Sequence, residues 1–152
     1  MLPDKFKALS EAVFPYVVDC YRHLHAHPEL SFLEFETSDF IANQLKSMDI
    51  PFRQGIGGTG VLGVITGNNP AKKTIALRAD MDALPISEKT GLAWKSLNNN
   101  VMHACGHDAH MACLLGAAKM LNELKNEFEG TVLLVFQPGE EKAPGGASLM
   151  LK

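Results

Sequence analysis

The hydrophobic period of this sequence changes twice, and that restricts the chain to folds in which helices and strands alternate. Phe6, Leu9, Val13, Val17, Tyr21 and Leu24 recur three or four residues apart, and Phe40, Ile41, Leu45 and Met48 form a second stripe. The first stripe predicts a helix from Asp4. Pro15 should kink it or divide it in two, and His27-Pro28 should end it, because a residue before proline is pushed out of the α region. The second stripe predicts a helix over 34–48. Residues 61–66 and 74–78 then read as two near-continuously apolar strands separated by a Gly67-Asn68-Asn69-Pro70 turn. A long apolar helix is expected over 107–128, with Cys113 as a core residue, then a strand over 131–136 and a further helix opening at Gly146. Strands apolar along their whole length are normally covered on both faces. The expected fold class is therefore α/β, a mixed, mostly parallel sheet flanked by helices.

Composition removes several functional classes. The 152 residues fit one domain in the usual range of about 100–200. With 14 Lys+Arg against 17 Asp+Glu the net charge is −3, and no basic cluster offers a nucleic acid its counter-charge. A composition 46% apolar and 20% charged argues against disorder. The apolar run 132–136 is far short of the ~20 residues of a membrane span. Residues 1–5 lack the apolar segment of a secretory signal. Cys20, Cys105 and Cys113 are too few, and odd in number, for a disulfide framework. The expectation is a cytoplasmic chain that binds neither nucleic acid nor membrane.

In a sheet of this kind ligands bind beyond the carboxyl ends of the strands, and three polar clusters fall there. Asp80 and Asp82 are two apart, so in extended chain both carboxylates face one side and favour a cation or proton between them. Simple capping of the strand end has the same pattern. Cys105 and His107 pair a thiol with an imidazole, a combination suited to zinc. On a helix the two would diverge by about 200°, so they converge only if the segment is a loop, which Gly106 makes easy. A helix starting at His107 would carry His110 on the same face. A buried inert thiol and capping histidines are the alternative. Glu140 and Glu141 are adjacent at a strand end, so one could ligate a metal while the other stays free as a base; an exposed acidic loop has the same signature. His23, His25 and His27 look like a metal tract, but they close an amphipathic helix whose dipole favours cationic groups.

Residues 22–25, 27–32, 78–85, 102–110 and 137–141 together resemble one family. It is the metal-dependent amidohydrolase family of hippurate hydrolase, N-acetyl-diaminopimelate deacetylase, plant auxin-conjugate hydrolases and related carboxypeptidases. The resemblance implies a zinc-peptidase-like catalytic domain that hydrolyses the amide bond of N-acyl amino acids or short peptides. It implies Cys105, His107 and Glu141 as metal ligands, Glu140 as general acid/base and Asp82 as the active-site aspartate supporting the metal centre. Asp80 matches a position where distant relatives carry a metal-binding histidine, a duty the Cys105 cluster takes over here. No ligand role carries over onto His23, His25, His27, His103 or His110. The implied cofactor is one or two divalent ions, zinc or manganese, with nickel or cobalt in some members. Family members are more than twice as long, with further metal-binding histidines and a lid and dimerisation domain through which they pair. The resemblance therefore implies that residues 1–152 are the N-terminal half of the catalytic domain, without the lid and incomplete for activity alone. A non-catalytic, truncated metal-binding or interaction module is the alternative, and a structural zinc module around Cys105 and His107 is weaker, because closed sites want four protein ligands.

Overall fold

An internal proline removes a helical hydrogen bond and costs about 3 kcal/mol, yet α1 (Leu2–Ala26) runs continuously through Pro15. The computed structural model describes residues 2–152; Met1, the first residue of the segment read as lacking a signal, lies outside them. Val13 on one side of the proline and Cys20 and Leu24 on the other are buried, while Pro15 itself is exposed. Their packing against α3 (His107–Glu123) outweighs the proline's cost, so neither the kinked nor the divided helix is needed. Gly116 lets the two helices approach closely: a Cβ there would lie 2.4 Å from Val17 Cγ2.

α2 (Phe35–Ser47) buries Ile41 and Leu45 as expected. Four strands follow the order β1-β2-β4-β3: β1 (Phe52–Ile56), β2 (Gly60–Thr66), β3 (Thr74–Asp80) and β4 (Thr131–Gln137). The sheet is mixed, with β3 and β4 parallel and the other two pairings antiparallel. Parallel pairing is thus the minority within these four strands, because β1 and β2 form a hairpin across a three-residue connection too short for a crossover. β1 escapes the periodicity reading because an edge strand with three exposed central residues carries little apolar signal.

Val61, Ile65, Leu134 and Phe136 point to the face shared with Ile41, Leu45, Met111 and Leu115. All three long helices lie on that side. Leu62, Val64, Leu133 and Val135, paired across β2 and β4 on the other face, are only half-buried. Coverage of both faces is therefore not realised among the described residues. α3 also ends earlier than its apolar pattern suggests, at Glu123, and gives way to one 3-10 turn (Lys125–Glu127) before Phe128 turns extended. α4 (Gly146–Met150) packs by the β1–β2 turn, where a Cβ on Gly57 would be 3.2 Å from Leu149 Cβ. No described helix is long and apolar enough to cross a membrane.

The parallel register pairs Asp80 with Gln137, so both strands release their chains at the same end of the sheet. The start of α3 is fixed there too. Asp108 in its first turn faces His25 Nδ1 at 2.6 Å, and Glu88 faces Nε2 at 3.3 Å. Burial alone lowers the His25 pKa, but the two carboxylates outweigh it and raise it above the usual 6.5. A raised folded-state value means the pairing contributes fully below about pH 6.5 and is lost as pH rises through the folded value. His25→Gln is accordingly expected to cost about 3 kcal/mol near pH 6. The difference from wild type, measured by urea unfolding across pH, should shrink at alkaline pH; a pH-independent difference would show that the imidazolium charge plays no part.

Candidate functional site

Asp82 lies just past β3 with 1% of its surface exposed. Its Oδ2 accepts the Ser31 hydroxyl at 2.6 Å and the Glu141 N–H at 2.9 Å. Its Oδ1 has no hydrogen-bond partner of standard geometry and faces His107 Nδ1 at 3.3 Å. His107 Nδ1–H donates to the Asp82 carbonyl at 2.8 Å. With Nδ1 so committed, Nε2 is the nitrogen left to ligate a metal, the arrangement by which a carboxylate orients a ligating imidazole. Burial pushes the Asp82 carboxyl up, but the adjoining His107 ring and bonds from Ser31 and the backbone of residues 140 and 141 hold it well below the usual range. Asp82 in turn raises His107 to about 9 against the opposing effect of burial.

Residues 102–106 are not helical, and Gly106, at φ +103°, turns the chain into α3. That turn permits the convergence that a helix forbids. Cys105, His107 and Glu141 each place a ligand atom within 4.8 Å of the other two. Sulfur, nitrogen and oxygen donors together fit a borderline-soft divalent ion. Desolvation first, and then Glu141, Glu140 and Asp80, raise the Cys105 thiol. Acidic groups crowded round a thiol disfavour its anion, and a bound dication would reverse that. The donor set therefore fits a metal. Glu140 stands beside it, Oε2 4.0 Å from His107 Nε2 and its side chain 41% exposed.

Two residues that sequence reasoning gave no role hold the 138–141 loop. Glu34, wholly buried, accepts the Thr59 hydroxyl at 2.5 Å and the Gly139 N–H at 2.8 Å. Ser31 fixes Asp82 as described. Ser31 falls inside a stretch already singled out, whereas Glu34 read only as the start of a helix. Gly139, at φ +55°, lies against Phe32, whose ring a Cβ there would meet at 2.3 Å.

The other candidates separate. Asp80 is held by Arg78, whose Nε and Nη2 both donate to Oδ1. His103 is buried with neither ring nitrogen partnered, and desolvation lowers it to about 4. His23 stacks on Phe40 and on His27, and His27 Nδ1 lies 2.8 Å from the His23 carbonyl. No third ligand joins His23 and His27 among the described residues. Cys113 is not a core residue. It lies on the exposed side of α3, lining a groove with Arg78, Asp80 and His110, because two residues carry it about 200° round the helix from the buried Met111.

The family model described as "Peptidase family M20/M25/M40" matches residues 76–152. The chain is 42% identical over its whole length to the N-acyl-L-amino acid amidohydrolase of Geobacillus stearothermophilus, covering 41% of that protein. It is 50% identical to the N-acetyl-L-cysteine deacetylase of Bacillus subtilis, over 85% of this chain and 31% of that one. The crystal structure of the Bacillus subtilis YXEP protein, described as a dinuclear metal binding peptidase, superposes with a TM-score of 0.85 at 43% identity, over 93% of this chain and 39% of that one. The chain thus spans well under half the length of these relatives.

The tie from Asp82 to His107 has a measurable consequence. Asp82→Asn is expected to weaken Zn²⁺ binding about 10–100-fold in calorimetric titration. Unchanged affinity would show that the carboxylate does not act through the imidazole.

Proposed function

The chain belongs to peptidase family M20/M25/M40, and on that premise we propose that residues 1–152 are the first part of the catalytic domain of a metal-dependent amidohydrolase. The proposed reaction is hydrolysis of the amide bond of N-acyl amino acids or short peptides. The observation that carries it is Glu140 standing free beside the convergent donors Cys105, His107 and Glu141. The names of the amidohydrolase and deacetylase relatives agree with this substrate class. One or two divalent ions, zinc or manganese, with nickel or cobalt as variants, would be held by Cys105, His107 and Glu141 together with ligands from outside these residues.

A divalent ion in that position supplies Lewis-acid polarisation of an amide carbonyl and acidifies water. The chain's own groups do the rest. Glu140, its side chain reachable from solvent, takes a proton from the attacking water and returns it to the departing amine nitrogen. Asp82 keeps His107 in the tautomer that presents Nε2. Ser31 and the Glu141 N–H keep Asp82 ionised so that it does so. A carboxylic acid and a free amino acid leave. The protein works in the cytoplasm, without nucleic acid or membrane, and pairs with itself through a lid domain that these residues do not contain.

One observation favours a second reading, a non-catalytic metal-binding or interaction module: the half-buried apolar face of Leu62, Val64, Leu133 and Val135. Glu140→Ala separates the two. In protein purified from its source and supplied with Zn²⁺ or Mn²⁺, the substitution should leave metal binding largely intact and lower hydrolysis of an N-acyl amino acid panel about 100-fold or more. Wild-type protein that binds metal and hydrolyses none of the panel would establish the second reading instead.

A further inference from the structure

His107 is flanked by a second donor set. Asp80, His107 and His110 also place one ligand atom each within 4.8 Å of one another. Asp80 is 8% exposed, and Arg78 donates both of its bonds, at 2.9 and 2.7 Å, to Oδ1. Oδ2 is thereby left free, 3.9 Å from His110 Nδ1. His110 follows His107 by three residues in the first turn of α3, which puts the two rings on one face, their centroids 5.5 Å apart. His107 belongs to both sets, and since its Nδ1 is committed to Asp82, the one lone pair it can offer to either is that of Nε2. One lone pair serves one ion.

We propose that Asp80, His107 and His110 form a second, alternative position for a divalent transition-metal ion, mutually exclusive with the Cys105–His107–Glu141 position. It has two imidazoles and a carboxylate and no sulfur, so it holds an ion independently of the state of the thiol. The softer position depends on a thiolate at an exposed cysteine. The harder position needs only the two imidazoles and the Asp80 carboxylate. An ion displaced from one therefore has the other within reach, through a shared ligand that need not let go of it. The inference deepens the proposed metal centre and rests on His107 being a ligand there.

Co²⁺ tests it, because cobalt bound to thiolate gives a charge-transfer absorption that cobalt bound to nitrogen and oxygen lacks. Wild type and His110→Ala should bind the same number of Co²⁺ per chain, each with the thiolate band. Cys105→Ser should still bind one, with ligand-field absorption alone. Adding His110→Ala to Cys105→Ser should weaken that residual binding about 100-fold or more. Asp80→Asn in the same background should do likewise, and circular dichroism confirms that each variant is folded. Equal affinities for Cys105→Ser and the double variant would overturn the alternative position, while the wild-type thiolate band would leave the Cys105 site standing. Loss of one Co²⁺ from wild type on His110→Ala alone, with the thiolate band retained, would overturn mutual exclusion. No binding by wild type would overturn both the inference and the metal centre on which it rests.

Discussion

Four separate stretches of chain meet at one buried carboxylate. Asp82 receives the Ser31 hydroxyl from the loop after α1 and the Glu141 N–H from the loop after β4, and it faces the ring that opens α3. A buried carboxylate is costly unless it is hydrogen-bonded. Its partners are therefore constrained as tightly as it is. That need for satisfaction makes the site a single unit, because any movement of one stretch leaves a charge short of a donor. The same economy explains Glu34, wholly buried, whose two oxygens are used on Thr59 and Gly139. Two buried acids thus pin the backbone of the glutamate-bearing loop, while the Glu140 side chain remains open to solvent.

The sheet serves this arrangement through one feature, the parallel pairing of β3 and β4. Their register delivers Asp82 and residues 140–141 to the same end, and α3, running between the two strands in sequence, starts at that end with His107. The antiparallel hairpin of β1 and β2 adds width and, through Thr59, a support for Glu34. Chemistry and scaffold are therefore divided between the two halves of a mixed sheet.

Much of this was readable in the sequence wherever a physical signal is local. Strand ends, helix stripes and the loop required at Gly106 follow from periodicity and from the angular spacing of Cys105 and His107. What was not readable depends on partners distant in the chain. Pro15 looks like a break until Val13, Cys20 and Leu24 are seen to be buried on both sides of it. Cys113 looks like core because its neighbours Leu114 and Leu115 are, and only the rotation of α3 against the sheet turns it to solvent. β1 is nearly silent because an edge strand hides little. Ser31 and Glu34 carry no pattern of their own, and their importance exists only in the folded geometry. Coverage of both sheet faces was inferred from apolar strands, and among the described residues helices cover one face.

The hydrogen bond from Gly139 to Glu34 spans 105 residues, and those from Glu141 and Ser31 to Asp82 span 59 and 51. Closing loops of that length carries the entropic cost that slows folding, whereas helices and a short hairpin form from near neighbours. A polypeptide emerging in order from its N-terminus can assemble the site only once residues 139–141 are free, just after β4 has become available to β2 and β3. Until then Asp82 and Glu34 lack their closing donors, and before β4 emerges β2 and β3 lack the strand that joins them.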